Sequence, residues 1–341
     1  MKALMYVDTR VMELQTVPDP TVSPGEVVLK VGASSICGSD LHGFLGKSAK
    51  RVPPLVMGHE FTGEVVEIGA GVDNLATGDR VTVNPILSCG HCDACLKGRM
   101  NICPNRKVIG IDRPGAFANY VAAPANACFK LPDHLDDLTG SMVESLSNAI
   151  HIFDRSLKGM LDSVAIIGAG TQGLLALQVA ILVGARKTII TDMVPSRLEM
   201  AKYYGATHPV NVGSTDAVEA VMEITEGEGV DLVVEAVGHV ETQSQTVDML
   251  KVGGEAALLG LGAEAKIPLD GLAIVNKELT VRGTYAYTSP DFAKSLDLIA
   301  AGKIDVASMV VSKGLEQGAE MFETLVDRPG DLIKVALAPE G

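Results

Sequence analysis

The chain has 341 residues, 47% of them hydrophobic and 21% charged, and its 42 acidic against 28 basic residues give a formal charge of −14. That length suits about two ordinary domains burying about 75% of their surface, and so acidic a surface repels nucleic acid and anionic lipid. Aromatics total 4% with no tryptophan, which argues against a platform for stacking bases.

Met1 to Met12 carries Asp8 and Arg10 and no apolar run, so an export signal is not expected and the protein is expected in the cytoplasm. Six cysteines then suggest reduced thiols and metal binding rather than disulfides. No internal repeat of solenoid length is visible. Neutral substrates fit the acidic surface better than phosphorylated ones, which need a local basic pocket.

The segment 1–130 reads as β-rich: alternating runs at 27–31, 64–68 and 80–83 are separated by Pro-Gly and Gly-Asp turns. After Pro132 strands and helices alternate. Strands are expected at 163–167, 187–191, 231–235, 255–259 and 279–283, and helices at 174–183, 196–204, 217–225 and 241–250. This alternation is the pattern of a doubly wound parallel sheet in an α/β protein. Residues 164–185 contain no charge and are long enough to cross a bilayer. Three glycines near the start of the stretch favour a buried strand–turn–helix instead, so no membrane association is expected.

Gly168-Ala169-Gly170-Thr171-Gln172-Gly173 follows one of these strands and opens a helix. Gly168 permits a tight turn, Gly170 lets backbone amides approach a pyrophosphate, and Gly173 lets the helix pack on the strand. Asp192 lies downstream of that loop, at the end of the next strand. There a carboxylate bonds the ribose hydroxyls of NAD and repels the 2′-phosphate of NADP. Arg197 pulls the other way, and the balance of the motif favours NAD.

Cys89, Cys92, Cys95 and Cys103 place four thiols within fifteen residues, inside a lobe spanning about 88–104. Four thiolates close the tetrahedral shell of zinc, which makes the site structural. An iron–sulfur cluster uses related spacings, and His91 lies inside the loop as a competing donor. Cys37, His59 and Glu144 are candidates for a second metal, but they stand far apart along the chain and nothing local brings them together. Cys128 reads as a small core residue.

Gly58-His59-Glu60-Phe61-Thr62-Gly63, followed by Gly69 and Gly71, resembles the zinc signature of the medium-chain alcohol dehydrogenases. Cys37-Gly38-Ser39-Asp40-Leu41-His42, the four-cysteine lobe and the glycine loop follow in that family's order. Glu144-Ser145-Leu146-Ser147 resembles its sorbitol (L-iditol) dehydrogenase and polyol branch. The resemblance implies a GroES-like β-rich catalytic domain from residues 1–145 and 288–341, with a Rossmann NAD-binding domain at 146–287 inserted in it. It implies two zinc ions per subunit. Cys37 and His59 hold the catalytic one, with Glu144 bound directly or through water and Glu60 beside it, either as an alternating ligand or as a support behind the ligands. Ser39 would take the substrate's proton and pass it toward His42. Gln172 and Asn148 fall where the family contacts its cofactor, and Arg197 matches the NAD-using polyol branch.

The implied activity is transfer of a hydride from a secondary alcohol, a polyol or sugar alcohol, to NAD. A homodimer or homotetramer is implied, with residues 279–285 as the suspected contact. Two positions depart from animal sorbitol dehydrogenases. The segment Gly283-Thr284-Tyr285-Ala286-Tyr287 keeps a tyrosine but has alanine in place of arginine, and Gly43 stands where those enzymes carry a tyrosine. Both changes remove polar contacts, so a less polar alcohol, or a sugar alcohol bound differently, fits. The rival readings are an L-threonine 3-dehydrogenase, a sugar-alcohol-phosphate dehydrogenase, and a nucleotide-binding protein without turnover.

Overall fold

The computed structural model describes residues 1–156, 161–262 and 266–339. The chain divides into two units, Met1–Glu144 together with Thr288–Gly341, and Ser145–Tyr287.

In the first unit the ten-residue strand β1 (Glu26–Ser35) is followed by a short helix, α1 (Gly38–Phe44), and later by β2 (Glu60–Ile68), which pairs antiparallel with β1. Their register shifts twice, between Val28 and Leu29 and between Val31 and Ala33. Such shifts bend a strand, and Tyr120–Pro124 pairs with β1 as well. The inner faces of these strands supply one core, with Val27, Leu29, Phe61, Val65 and Val81 buried together. A second core, around Leu4, Tyr6, Phe44, Phe117 and Phe322, joins the N-terminal strand Lys2–Asp8 to the C-terminal helix Gly318–Asp327. The expectation of a β-rich segment over 1–130 agrees with this arrangement. Helix α2 (Val143–Ser156) then begins with Glu144 in its first turn.

Among the described residues the second unit is built on a six-stranded, wholly parallel sheet. In chain order it contains β3 (Ser163–Ile167), α3 (Thr171–Leu182), β4 (Lys187–Asp192), α4 (Pro195–Tyr203), β5 (His208–Asn211) and α5 (Ala217–Ile224). There follow β6 (Val230–Glu235), α6 (Val240–Gln245), β7 (Leu250–Leu258), α7 (Gly271–Asn276) and β8 (Thr280–Gly283). The strands lie in the order β5-β4-β3-β6-β7-β8. The order reverses between β3 and β6, and in such sheets ligands bind beyond the strand C-termini at that switch point.

Every residue of β3 is buried, as expected of a strand covered on both faces. Helix α3 buries Gly173 through Ala180 without a break. The uncharged stretch 164–185 is therefore a core strand and a core helix, and no helix among the described residues is long and apolar enough to cross a membrane.

Two sequence expectations need correction. The helix expected at 241–250 ends at Gln245, and the strand expected at 255–259 begins at Leu250. Leu250 pairs with Val230 but Glu255 with Leu232, so a bulge holding Gly253 and Gly254 interrupts β7. A strand broken by two glycines reads in sequence as a helix end followed by a shorter strand. Strand β5 and helix α7 were not expected. Helix α7 is capped by Asp270, whose carboxylate accepts from Ala273 N at 2.9 Å.

The chain returns to the first unit, where β9 (Lys334–Ala338) pairs antiparallel with Ser34 and Ser35 of β1. It thereby sets Lys334 beside the start of β2.

Candidate metal centres and nucleotide loop

The lobe places its four sulfurs close together. The Sγ–Sγ distances are 3.5 Å for Cys89–Cys103 and Cys92–Cys95, 3.8 Å for Cys92–Cys103 and 3.9 Å for Cys89–Cys95. Zinc–sulfur bonds of about 2.3 Å at tetrahedral angles put sulfurs about 3.8 Å apart. The donor set thus fits one tetrahedral ion and leaves no room for an iron–sulfur cluster. Backbone N–H groups of His91 and Cys92 point at Cys89 and hold its thiol at about 6, toward the thiolate a metal needs. His91 itself turns away: its Nδ1 lies 2.7 Å from the Cys89 carbonyl oxygen and the side chain is exposed. Cys128 is buried, and burial pushes its thiol up to about 12, as befits a core residue.

The second centre is assembled from distant segments. Cys37 lies at the end of β1, just before α1, and His59 and Glu60 open β2. One donor atom from each of the three lies within 4.8 Å of the others. Gly58 makes this possible: its φ is +97°, and a Cβ there would stand 2.7 Å from Phe117 N. Glu144 is also buried, on the first turn of α2, but it does not join that compact trio.

Three residues that sequence reasoning did not single out frame the trio. Asp40, fully buried, presents Oδ1 at 3.3 Å to His59 Nδ1 and accepts from Cys37 N through Oδ2 at 3.2 Å. A carboxylate on Nδ1 directs the other imidazole nitrogen to a metal. Arg51 donates to the same carboxylate. Burial alone would raise Asp40, but His59 and Arg51 outweigh it and hold the group at about 2. Burial likewise works against a charged His59, yet Asp40 and Cys37 hold it well above its ordinary value.

Lys334 is the third. It is 3% exposed and ion-paired with Glu60, which is 0% exposed. Glu60, Cys37 and Glu144 together keep its ammonium charged against the cost of burial. With Cys37 as thiolate and His59 neutral, the forms in which each binds a metal, the acids Cys37, Asp40, Glu60 and Glu144 face the bases Arg51 and Lys334. The excess of two negative charges is what a divalent cation supplies, so the residues present fit a zinc ion.

The relay candidates sit on α1. Ser39 Oγ accepts from Arg51 Nη2 at 2.8 Å. His42 is three residues further on the same helix, hence on the same face.

In the second unit the glycine loop joins β3 to α3. Gly168 has φ +96°, and a Cβ on Gly173 would stand 1.7 Å from Gly168 O, so the third glycine is obligatory for the turn. Asp192 ends β4 and accepts from Ala169 N at 2.8 Å and from Val194 N at 2.9 Å, which locks its carboxylate beside the loop. Arg197 Nη1 lies 3.9 Å from that carboxylate. Gln172 Oε1 and Arg197 Nε are buried with no hydrogen-bond partner among the described residues. Such orphaned atoms beside an amide-lined turn are what a bound nucleotide satisfies. Asn148 lies half-buried on α2.

Two family models match the chain: an alcohol dehydrogenase GroES-like domain over residues 23–133 and a zinc-binding dehydrogenase domain over residues 173–301. The sorbitol dehydrogenase of Bacillus subtilis (strain 168) is 34% identical over 99% of this chain and 97% of its own length. The L-threonine 3-dehydrogenase of Pyrococcus horikoshii is 37% identical over 92% of this chain and 91% of its own length. A zinc-binding dehydrogenase from Sinorhizobium meliloti 1021, solved bound to NADP, superposes with a TM-score of 0.93 at 33% identity, covering 99% of both chains. The chain belongs to the zinc-type medium-chain alcohol dehydrogenases, with a GroES-like and a Rossmann-like domain, and within them it resembles the polyol branch.

Proposed function

We propose that this alcohol dehydrogenase holds two zinc ions per chain and transfers a hydride from a neutral secondary alcohol, a polyol or sugar alcohol, to NAD. The observation that carries the reading is the trio of half-buried Cys37 with buried His59 and Glu60, in a frame that lacks one divalent positive charge.

Zinc in that centre would supply Lewis acidity toward an alcohol hydroxyl, and NAD would supply the two-electron acceptor. The chain's own residues do the rest. Cys37 and His59 hold the metal, with Glu144 as third donor and Glu60 as a donor that exchanges between metal and Lys334. Asp40 fixes the imidazole of His59. Ser39 takes the alcohol's proton and His42 returns it to solvent. Cys89, Cys92, Cys95 and Cys103 hold the structural ion.

In the second unit Gly168, Gly170 and Gly173 admit the pyrophosphate, Gln172 and Asn148 contact the cofactor, and Asp192 takes the ribose hydroxyls. The locked Asp192 carboxylate supports NAD over NADP, with Arg197 packing beside the adenosine.

A zwitterionic or phosphorylated substrate needs a cation free to meet it. The two bases that frame this centre, Arg51 and Lys334, are committed to Asp40 and Glu60, which supports a neutral alcohol over threonine or a sugar-alcohol phosphate. For the assembly we propose a homodimer or homotetramer joined through β8, the edge strand of its sheet. Leu272 and Val275 on the nearby helix α7 are 70% and 73% exposed, an apolar pair suited to a second copy.

The test is NADH formation over a panel of polyols, simple secondary alcohols, threonine and a sugar-alcohol phosphate, with metal content measured in parallel. Chelator-sensitive turnover on a neutral alcohol is expected. Turnover only on threonine or the phosphate would replace the substrate class, and none from protein holding two zinc ions would overturn the reading.

A further inference from the structure

Building on the reading of Ser39 as the hydroxyl that takes the alcohol's proton, we propose that Arg51 is the positioning residue that aims it. We further propose that position 43 is glycine because Arg51 needs the space. Arg51 is 7% exposed. Its guanidinium spans two groups at once: Nη2 lies 2.8 Å from Ser39 Oγ, while Nε and Nη2 lie 3.2 and 3.1 Å from Asp40 Oδ1. Asp40 in turn faces His59 Nδ1 at 3.3 Å. One planar fork therefore ties the relay hydroxyl to the carboxylate that orients a metal ligand. A lysine, a single point charge on a flexible stem, cannot hold both in a fixed geometry.

Hydrogen-bond capacity shows what the contact does. A serine hydroxyl has one hydrogen to give and two lone pairs to accept with. Arg51 occupies one lone pair and so orients the other two positions. In the proton step the alcohol O–H bond breaks and a new O–H bond forms on the remaining lone pair. Ser39's original hydrogen leaves for the next acceptor, so the serine ends neutral and unchanged. Arg51 stays protonated throughout, since its guanidinium does not give up its charge in proteins. It directs the transfer and takes no part in the bonding.

The neighbouring glycine marks the same arrangement from the other side. A Cβ built on Gly43 would stand 2.3 Å from Arg51 Cδ and 3.1 Å from Arg51 Cβ. The clash falls on the stem, so the side chain could not stay where it reaches Ser39. A tyrosine at position 43, the residue animal sorbitol dehydrogenases carry there, and Arg51 in this pose exclude one another.

The experiment compares Arg51→Ala, Arg51→Lys, Gly43→Ala and the double variant Gly43→Ala/Arg51→Ala with Ser39→Ala. Readouts are kcat and KM on the best alcohol, zinc content, and NADH affinity by fluorescence. We expect Arg51→Ala and Gly43→Ala each to lower kcat by about 100-fold, the typical cost of misplacing a reacting group by an ångström. Zinc content and NADH affinity stay at wild-type levels. Added guanidinium ion restores part of the Arg51→Ala rate, Arg51→Lys remains slow, and Gly43→Ala has no further effect once Arg51 is alanine. Should Arg51→Ala not fold, Gly43→Ala reads the same displacement with every polar group present. Wild-type kcat in Gly43→Ala and in Arg51→Lys, with Ser39→Ala slow, overturns the inference and leaves the relay intact. Wild-type kcat in Ser39→Ala instead removes the relay itself. An equal additional loss from Gly43→Ala on the Arg51→Ala background would show that Gly43 serves another purpose.

Discussion

Cys89, Cys92, Cys95 and Cys103 come from one short lobe and are aimed at each other largely by local backbone, whereas Cys37, His59 and Glu60 come from a strand end and a strand start. The lobe is braced by its own backbone and by Arg106, which donates to the Cys103 carbonyl oxygen at 3.0 Å. Its thiolates are steered by backbone N–H groups, as at Cys89. The second centre is embedded in buried charge, with Asp40 at His59 and Lys334 at Glu60. A donor set satisfied by its own ion can be built on a loop. One that must keep a position open for substrate needs its remaining donors held from outside, and charged neighbours do that.

The largest expected effect tests this division directly. His59→Ala should reduce zinc from two ions per chain to one and lower turnover about a thousandfold or more, because the lost Lewis acid is worth several kcal/mol. Cys92→Ser should also hold one zinc, but its damage should appear first as faster tryptic cleavage at the exposed Lys97, with turnover largely kept. Metal analysis, proteolysis and steady-state rates on the same preparations decide it. Equal loss of turnover in both variants, with the lobe of Cys92→Ser still protected, would falsify the structural assignment of the lobe.

The contrast also explains what could be read in the sequence. The lobe was legible because four thiols within fifteen residues leave zinc little alternative. The parallel sheet was legible because β3 and α3 carry no charged residue and strands alternate with helices after them. Strand β7 was misread because its bulge breaks the pattern at Gly253 and Gly254, and β5 was missed because its four residues are all only half-buried. At the second centre Cys37 and His59 stood out only as separate candidates and Glu60 entered through resemblance, since their proximity is a product of β1 pairing with β2. Asp40, Arg51 and Lys334 escaped notice, although Lys334 left a trace. A lysine inside the apolar run Ile333-Lys334-Val335-Ala336-Leu337 has to find a buried partner.

That lysine supplies the next test. Lys334→Met preserves the volume of the side chain but leaves Glu60 buried without its counter-ion. Removing one partner of a buried pair costs about 3–5 kcal/mol. Urea denaturation of the zinc-free protein should show a loss of that order, with Lys334→Arg milder. An exposed pair of the lobe, Lys97 with Asp93 at 3.0 Å, should lose less than about 1 kcal/mol on Lys97→Met. Similar losses at the two positions would remove the charged frame from the comparison.

The smallest effect isolates charge from shape. Asp40→Asn keeps the shape of the group that faces His59 Nδ1 and lets Arg51 donate to an amide oxygen. What disappears is the negative charge behind the imidazole, together with the acceptor for Cys37 N, and such partners are worth about 10–100-fold in metal affinity. Competition with a chelator of known strength should show one of the two zinc ions leaving more readily by that factor and the other unchanged. His91→Ala beside the lobe should change neither, because that imidazole bonds only a backbone carbonyl among the described residues and faces solvent. The fold-change at Asp40 also separates two ways of holding His59. A loss near tenfold means that packing behind Gly58 fixes most of the ring's position. One near a hundredfold means that Asp40 does, and that the metal centre extends through Asp40 to the guanidinium of Arg51.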